Sequence, residues 1–496
     1  MDAMSTRSLV AASAAGIAIV TGAAVLLAPS LETQRLYWKL KLRAYVYHGR
    51  AAVGGACRRL FSSADADRAP AAGDASVSRV WLRRQLQECG LFEGEIPPIA
   101  SVEIMGDALQ GGFVGDMSKL SVKYEGEEDG ASTAAGLPHV LVFKTVKGLL
   151  STRLAALFLG HAREGLFYRH FGMKGGKFAH LLPASKQLPR VVYADGDVAA
   201  GTFSVLMEEI GECRTLSHML GNQCWGPPPP LPAGAPTDHA VLLRAVFLEE
   251  AETHAALWQK RELLDIPWLK HVDWLRGKNR AQWVLGVEDM KKKWAMVTRL
   301  APPDLYAGTI ADAMDTLFAA TSWEAFQASM DISDPTLAWT LAHGDFHGGN
   351  QLWATERVGA SSRPPVVSVD FAEMGVFCPF RDISQYVISN ATIEVRRKHE
   401  RELFEAYYAR LLELGVDGTR HPLNRAWALY CAGGIERWLQ MIVLMGYMSA
   451  TSPVLPVKFM RWFVKQVGSF IEDHEADIVA SGVYRGISSG YCMVTM

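Results

Sequence analysis

The sequence predicts an α+β chain of two lobes, a small antiparallel sheet with one helix followed by a larger, mainly helical body. Three observations carry that prediction. Five short runs rich in Val, Ile, Leu, Tyr and Phe fall between residues 80 and 212, separated by Gly-containing or acidic loops. From His239 onward most of the chain has helical spacing, broken by two segments around Asp345 and Asp370. At 496 residues and 49% apolar, the chain is too long for one compact core and apolar enough for two.

Residues 1–46 are expected to form an N-terminal apolar helix with a basic flank. From Ser8 to Leu31 there is no charge, and the stretch LVAASAAGIAIVTGAAVLLA is long enough to cross about 30 Å of hydrocarbon. Arg35, Lys39, Lys41, Arg43, Arg50, Arg58 and Arg59 follow, opposed only by Glu32, so the charge bias predicts a membrane anchor with the body of the chain in the cytosol. The alternative is a transit peptide cleaved on entry to an organelle, because the segment is rich in Ala, Arg and Ser and poor in acids. Residues 47–79, made mostly of small residues, read as a flexible linker.

Residues 80–212 form the expected sheet lobe. It opens with the helical run VWLRRQLQECG, which Gly90 is suited to stop. The strand candidates VEIMG, KLSVKYEG and HVLVFKTV come next, then a helix from about Arg153 to Phe171, then the strands LPRVVYADG and FSVLMEEIG. Residues 213–480 form the helical lobe and 481–496 a tail. The Pro-rich CWGPPPPLPAGAP, near Pro227 to Pro230, is a loop too poor in backbone donors to join a sheet.

Composition removes several function classes. With 50 basic and 52 acidic residues the net charge is −2, which leaves no field to draw in nucleic acid. The seven cysteines are scattered and show no CxxC pair, so neither a disulfide framework nor a structural zinc site is expected, and a reducing compartment is favoured.

Chemistry concentrates in LAHGDFHGGN and, beyond it, VVSVDFAEMG. Asp345 and Asn350 share a short loop after an apolar approach, and Asp370 follows a strand-like run. Three oxygen-bearing side chains on neighbouring segments suit phosphoryl transfer from ATP, which needs a base beside the acceptor hydroxyl and oxygen ligands for one or two Mg²⁺ ions. Such a site also needs a cation for the α- and β-phosphates. Lys144 in LVFKTV is placed for it, with Glu164 on the next helix to hold it. The turn GGFVGDMSK offers Gly112 and Gly115, where backbone amides approach phosphate without a Cβ, and Ser118 beside them as a further nucleotide contact. In LMEEIGE, the backbone of Met207 and Glu208 lies where a chain passing between lobes meets adenine, although Glu208 and Glu209 read equally as a solvated surface pair. The rival for the first motif is a metal cluster of His343, Asp345 and His347, as in a metallohydrolase, but it gives Asn350, Lys144 and Glu164 nothing to do.

HGDFHGGN followed by VDFAEMG resembles the paired motifs of the aminoglycoside phosphotransferase and choline kinase superfamily. The order of GGFVGDMSKLSVKY, VLVFKTV, EGLFYRHF, FSVLMEE, ETHAALW and CPFRDISQYV is most similar to its CHK or ecdysteroid-kinase-like branch, over roughly residues 80–480. The resemblance implies a protein-kinase-like fold and an ATP- and Mg²⁺-dependent kinase acting on a hydroxyl of a small molecule. It implies Asp345 as catalytic base, Asn350 and Asp370 as Mg²⁺ ligands, Lys144 on the nucleotide phosphates with Glu164 fixing it, and His343 and Asp382 bracing the catalytic loop. His254 and Trp258 match the family's helix signature and read as packing.

The chain departs from the family in its irregular glycine loop, in DFAEMG where an aromatic and Gln commonly follow the Asp, and in the extended Pro-rich loop. Acceptor identity is expected from the helical lobe, where Trp427, Tyr430, Glu436, Arg437 and Trp438 cluster. Aromatics at helical spacing are ordinarily core, so choline is not predicted. From a different class, the alternative is a catalytically weak nucleotide-binding or scaffold protein that keeps the fold.

Overall fold

The computed structural model describes residues 76–106, 115–126, 136–147, 159–221, 234–269, 280–329, 331–354, 365–451 and 455–481, with a few isolated positions besides. The sheet lobe opens with α1 (Arg79–Glu88), whose first turn is closed by Ser78 accepting from the Trp81 amide at 3.4 Å. Gly90, at φ +67°, lies just beyond its end.

Strands β1 (Ile99–Ile104), β2 (Gly115–Tyr124) and β3 (Val140–Val146) follow. Then come the short helix α2 (Arg163–Phe167), which runs on into a single wide turn, and strands β4 (Val191–Asp197) and β5 (Thr202–Glu208). The five strands form one antiparallel sheet in the order β1-β2-β3-β5-β4.

Alternation along β3, the central strand, separates two packing faces. Leu141 and Phe143 meet Trp81, Leu82 and Leu86 of α1. Val142 and Val146 pack with Phe167 and Phe171 on the side of α2. Lys144 shares the second parity, and that is why its side chain reaches Glu164 on α2. The helix sits tightly on β4: a Cβ at Gly165 would come within 2.0 Å of the Asp195 carbonyl oxygen.

Beyond β5, β6 (Cys213–Thr215) leads to the helices α3 (His239–Ala256), α4 (Arg280–Leu300), α5 (Thr309–Ala320) and α6 (Trp323–Ser329). Strands β7 (Thr340–Ala342), β8 (Gln351–Ala354), β9 (Val366–Ser368) and β10 (Gly375–Phe377) come next, then α7 (Phe380–Asn390), α8 (Ile393–Glu413), α9 (Leu423–Thr451) and α10 (Val457–Ser481). β10 pairs with β7, and β8 pairs with both β6 and β9. Two chemistry-bearing turns result side by side: 343–350 joins β7 to β8, and 369–374 joins β9 to β10.

Every residue of α7 is buried, so this helix can fix what rests on it. Trp427, Tyr430 and Trp438 belong to the helical core, where Trp427 and Tyr430 stack with centroids 5.0 Å apart. The aromatic cluster of α9 is thus packing.

Among the described residues no helix is long and apolar enough to cross a membrane. That finding overturns the expected membrane-anchored placement. The run from Ser8 to Leu31 that suggested it lies outside the described residues. Most of the linker, the Pro-rich loop at 222–229, the first part of the helix expected from Arg153 and the tail beyond Ser481 also lie outside them.

Candidate functional site

The loop that carries Asp345 begins with a backbone constraint. Gly344 sits at φ +77°, and a Cβ there would lie 2.2 Å from the Glu373 carbonyl oxygen. Only glycine fits this close approach of the two motif segments.

Asp382, in the first turn of α7, ties the loop down. Its carboxylate accepts from the His343 amide at 2.6 Å and from the Gly344 amide at 3.2 Å. Burial pushes this carboxyl up, and His254 and His343 work against that. Behind it lies a buried charged layer: His254 Nε2 is 3.2 Å from Glu250 Oε1 and 3.9 Å from Asp382 Oδ2, and Lys186 Nζ is 2.8 Å from Glu250 Oε2. His254 therefore belongs to the polar support of the loop and is more than packing, because a second bond joins its Nδ1 to the Tyr407 hydroxyl at 2.8 Å.

His343 Nε2 donates to the Val369 carbonyl at 3.1 Å, and the Val369 amide donates to the Asn350 carbonyl at 2.9 Å. The two motifs are zipped together by these bonds. Because His343 Nε2 is so used and His347 Nδ1 accepts from the Gly349 amide at 3.0 Å, the rival cluster fails geometrically: His343, Asp345 and His347 do not converge as a ligand set among the described residues.

Asp345 Oδ1 accepts from Gln385 Nε2 at 3.0 Å and from Arg437 Nη2 at 2.9 Å, while Oδ2 faces His347 Nε2 at 3.6 Å. Burial would raise its pKa, but His347 and Arg437 outweigh it and hold the carboxyl well below the usual range. Asn350 donates through Nδ2 to the Asp345 carbonyl at 3.0 Å.

Asp370 adopts φ +63°, which is unusual for a residue with a side chain and turns its carboxylate toward the sheet lobe. There Lys144 Nζ lies 3.2 Å from Asp370 Oδ2 and 2.8 Å from Glu164 Oε1. One cation thus serves two carboxylates. Burial alone would depress the Lys144 ammonium, yet Asp370 and Glu164 hold it above its ordinary value. Glu164, nearly fully buried, is pushed up to about 7 by that burial, with Lys144 opposing. Asp370 stays below its ordinary value because Lys144 offsets the burial.

The remaining expected residues divide. Gly115 stands beside Lys144, its missing Cβ 3.1 Å from Lys144 Cε, so glycine leaves room for that side chain. Gly112 lies outside the described residues. Ser118 pairs with Phe143 and shares its face, opposite the one that Lys144 occupies. The period of two turns it away from the site. Met207 pairs with Val142 at the end of β5. Glu208 accepts from the Arg190 amide at 3.1 Å, and Glu209 forms an ion pair with Lys119, so neither is a merely solvated carboxylate.

Sequence reasoning missed Gln385 and did not foresee the contact of Arg437 with Asp345. Gln385 had a signal, since it lies three residues after Asp382 on one helix face. Arg437 had none, coming from a helix far along the chain. The pair His161 Nε2 and Glu373 Oε1, 3.2 Å apart, spans the two lobes.

Residues 285–415 match the ecdysteroid kinase-like family, a segment that holds both motifs and α7. No curated protein matches the chain. Among solved structures, a choline kinase from Cryptosporidium parvum Iowa II is similar at 11% identity and a TM-score of 0.44, over 77% of this chain and 92% of that one. A Plasmodium vivax ethanolamine kinase is similar at 9% identity and a TM-score of 0.37, over 74% and 81%. A microcompartment-associated aminopropanol kinase is similar at 14% identity and a TM-score of 0.38, over 76% and 94%. Across the segment that holds both motifs, this chain is thus similar to the ecdysteroid kinase-like family, the branch that its motifs resemble.

Proposed function

We propose that this protein transfers the γ-phosphoryl group of ATP to a hydroxyl of a small molecule, with Asp345 orienting and deprotonating the acceptor. The observation that carries this reading is the meeting of the Lys144–Glu164 pair with Asp370, 3.2 Å from Lys144, beside the loop of Asp345 and Asn350. A metallohydrolase has no use for that pair.

The donor set suits Mg²⁺. Asn350 uses its amide nitrogen on the Asp345 carbonyl, which leaves its side-chain oxygen for a cation, and Asp370 keeps one carboxylate oxygen away from Lys144. Two hard oxygen donors are what that ion takes. Magnesium held by Asn350 and Asp370 would supply charge neutralisation on the β- and γ-phosphates.

The chain's own groups would do the rest. Lys144 would grip the nucleotide phosphates, with Glu164 fixing it, and the amides near Gly112 and Gly115 would approach them. The backbone of Met207 and Glu208 would meet adenine. Arg437 and Gln385 occupy Asp345 Oδ1, so Oδ2 would face the acceptor. As the hydroxyl oxygen bonds to phosphorus and the bond to the departing ADP oxygen breaks, the hydroxyl proton would pass to Oδ2. A carboxylate held so far below the ordinary range takes that proton late, so its first service is orientation.

The acceptor is a small hydroxylated molecule. The test of nucleotide use is a thermal shift: at a hundredfold over its Kd, ATP with Mg²⁺ should stabilise the native chain by about 2.7 kcal/mol. A flat response across a wide ATP range would sink this proposal and the scaffold alternative together.

A further inference from the structure

We propose a second metal site, for a borderline divalent cation such as Zn²⁺ or Co²⁺, where α9 meets α10, with Cys431, His474 and Asp477 as its ligands. It is independent of the phosphoryl-transfer proposal. The sulfur, one ring nitrogen and a carboxylate oxygen of these residues all lie within 4.8 Å of one another. Small side-chain adjustments bring three such atoms onto one ion.

What distinguishes the group from a chance cluster is the support behind two of its three ligands. His474 Nε2 lies 3.0 Å from Glu400 Oε2, and a carboxylate only accepts, so Nε2 carries the proton. The other ring nitrogen, Nδ1, lies 3.9 Å from Asp477 Oδ2, too far for a hydrogen bond. A metal-binding histidine ordinarily has this arrangement, its second nitrogen donating to a carboxylate that fixes the tautomer and the ring. Glu400 is itself fixed by Arg396 Nη1 at 2.9 Å and by the Tyr430 hydroxyl at 2.7 Å. Asp477 is oriented in turn, its Oδ2 accepting from Trp427 Nε1 at 2.9 Å.

Cys431 is a free, fully buried cysteine, and Asp477 is about half exposed, so the group opens to solvent on one side. Sulfur, imidazole and carboxylate with a remaining position for water suit zinc or cobalt, whereas Mg²⁺ and Ca²⁺ prefer oxygen alone. As the sulfur–metal bond forms, the thiol's S–H bond breaks and its proton leaves to water on the open side beside Asp477. No spacing rule finds this site, because its sulfur and its imidazole sit on different helices.

The test is a Co²⁺ titration of the reduced full-length chain, read as the thiolate-to-cobalt charge-transfer band in the near ultraviolet. One equivalent should produce the band, Cys431→Ser should abolish it, and Asp477→Asn should weaken Co²⁺ binding by about tenfold or more. No band in the native chain, or a band that survives Cys431→Ser undiminished, would overturn the assignment. Should Cys431→Ser fail to fold, the half-exposed position decides: unchanged cobalt affinity in Asp477→Asn refutes the site, and a tenfold loss supports it.

Discussion

Arg437 Nη2 donates to Asp345 Oδ1 at 2.9 Å, and the same guanidinium donates through Nε to Gln385 Oε1 at 3.2 Å. Gln385 Nε2 in turn donates to Asp345 Oδ1, so three residues close a ring around one carboxylate oxygen. A helix remote in sequence thereby fixes which oxygen of the proposed base remains for the acceptor.

Replacing that arginine should show in turnover. A hydrogen bond to a charged group is worth about 1.5–3 kcal/mol, so Arg437→Met should lower kcat by roughly 10- to 100-fold. Arg437→Lys should rescue little, because one ammonium does not reproduce the two directed donors of the guanidinium. Steady-state phosphoryl transfer measures both, and full activity in the methionine variant would remove Arg437 from the account.

Gly344→Ala tests the contact between the motif segments. The added Cβ would meet the Glu373 carbonyl oxygen at 2.2 Å in a left-handed backbone, and backbone cannot give way as a flexible side chain can. A loss of at least about 2 kcal/mol is expected from strain and displacement of the loop together. Urea denaturation of both proteins checks it, and equal midpoints would show that the segments part without cost.

Much of this was legible in the sequence, for physical reasons that differ by residue. Strand β3 and Lys144 were readable because period-two burial leaves an apolar pattern, and the loop and strand that carry Asp345, Asn350 and Asp370 were readable because their spacing is local. The face that Ser118 takes is not legible in the sequence, because it depends on register, and register is set by partners such as Phe143. Arg437 was seen only as part of an acceptor-side cluster, since its contact with Asp345 crosses most of the helical body. The apolar run from Ser8 to Leu31 suggests a membrane span by its length, its lack of charge and its basic flank, and it lies outside the described residues.

Glu164 gives the fold a pH dependence. Its carboxyl is pushed up to about 7, whereas the unfolded value is about 4.3. Between those values the folded chain holds a proton that the unfolded chain lacks, so stability falls as pH rises through the window. Glu164→Gln should remove that contribution, at most about 4 kcal/mol across the whole window. Glu249, also pushed up to about 7 by burial, keeps part of the slope. Urea midpoints at pH 5 and pH 7 measure the difference, and an identical pH slope in the variant would contradict the raised carboxyl.

Lys144→Met separates nucleotide binding from folding. The substitution leaves Glu164 and Asp370 without their shared cation, so the stabilisation by ATP with Mg²⁺ should fall by most of its native size. Thermal shift at matched ATP concentrations measures it. An undiminished shift would mean that nucleotide binds elsewhere.

The most direct measurement is transfer of labelled γ-phosphate from ATP to a panel of sterols, amino alcohols, sugars and aminoglycosides by the native chain and by Asp345→Asn. A labelled small molecule should form with the native chain. The variant should make it on the order of a hundredfold more slowly or worse while still being stabilised by ATP with Mg²⁺. Equal transfer by the variant would contradict Asp345 as the base, and ATP binding with no transfer to any acceptor class would favour the scaffold alternative.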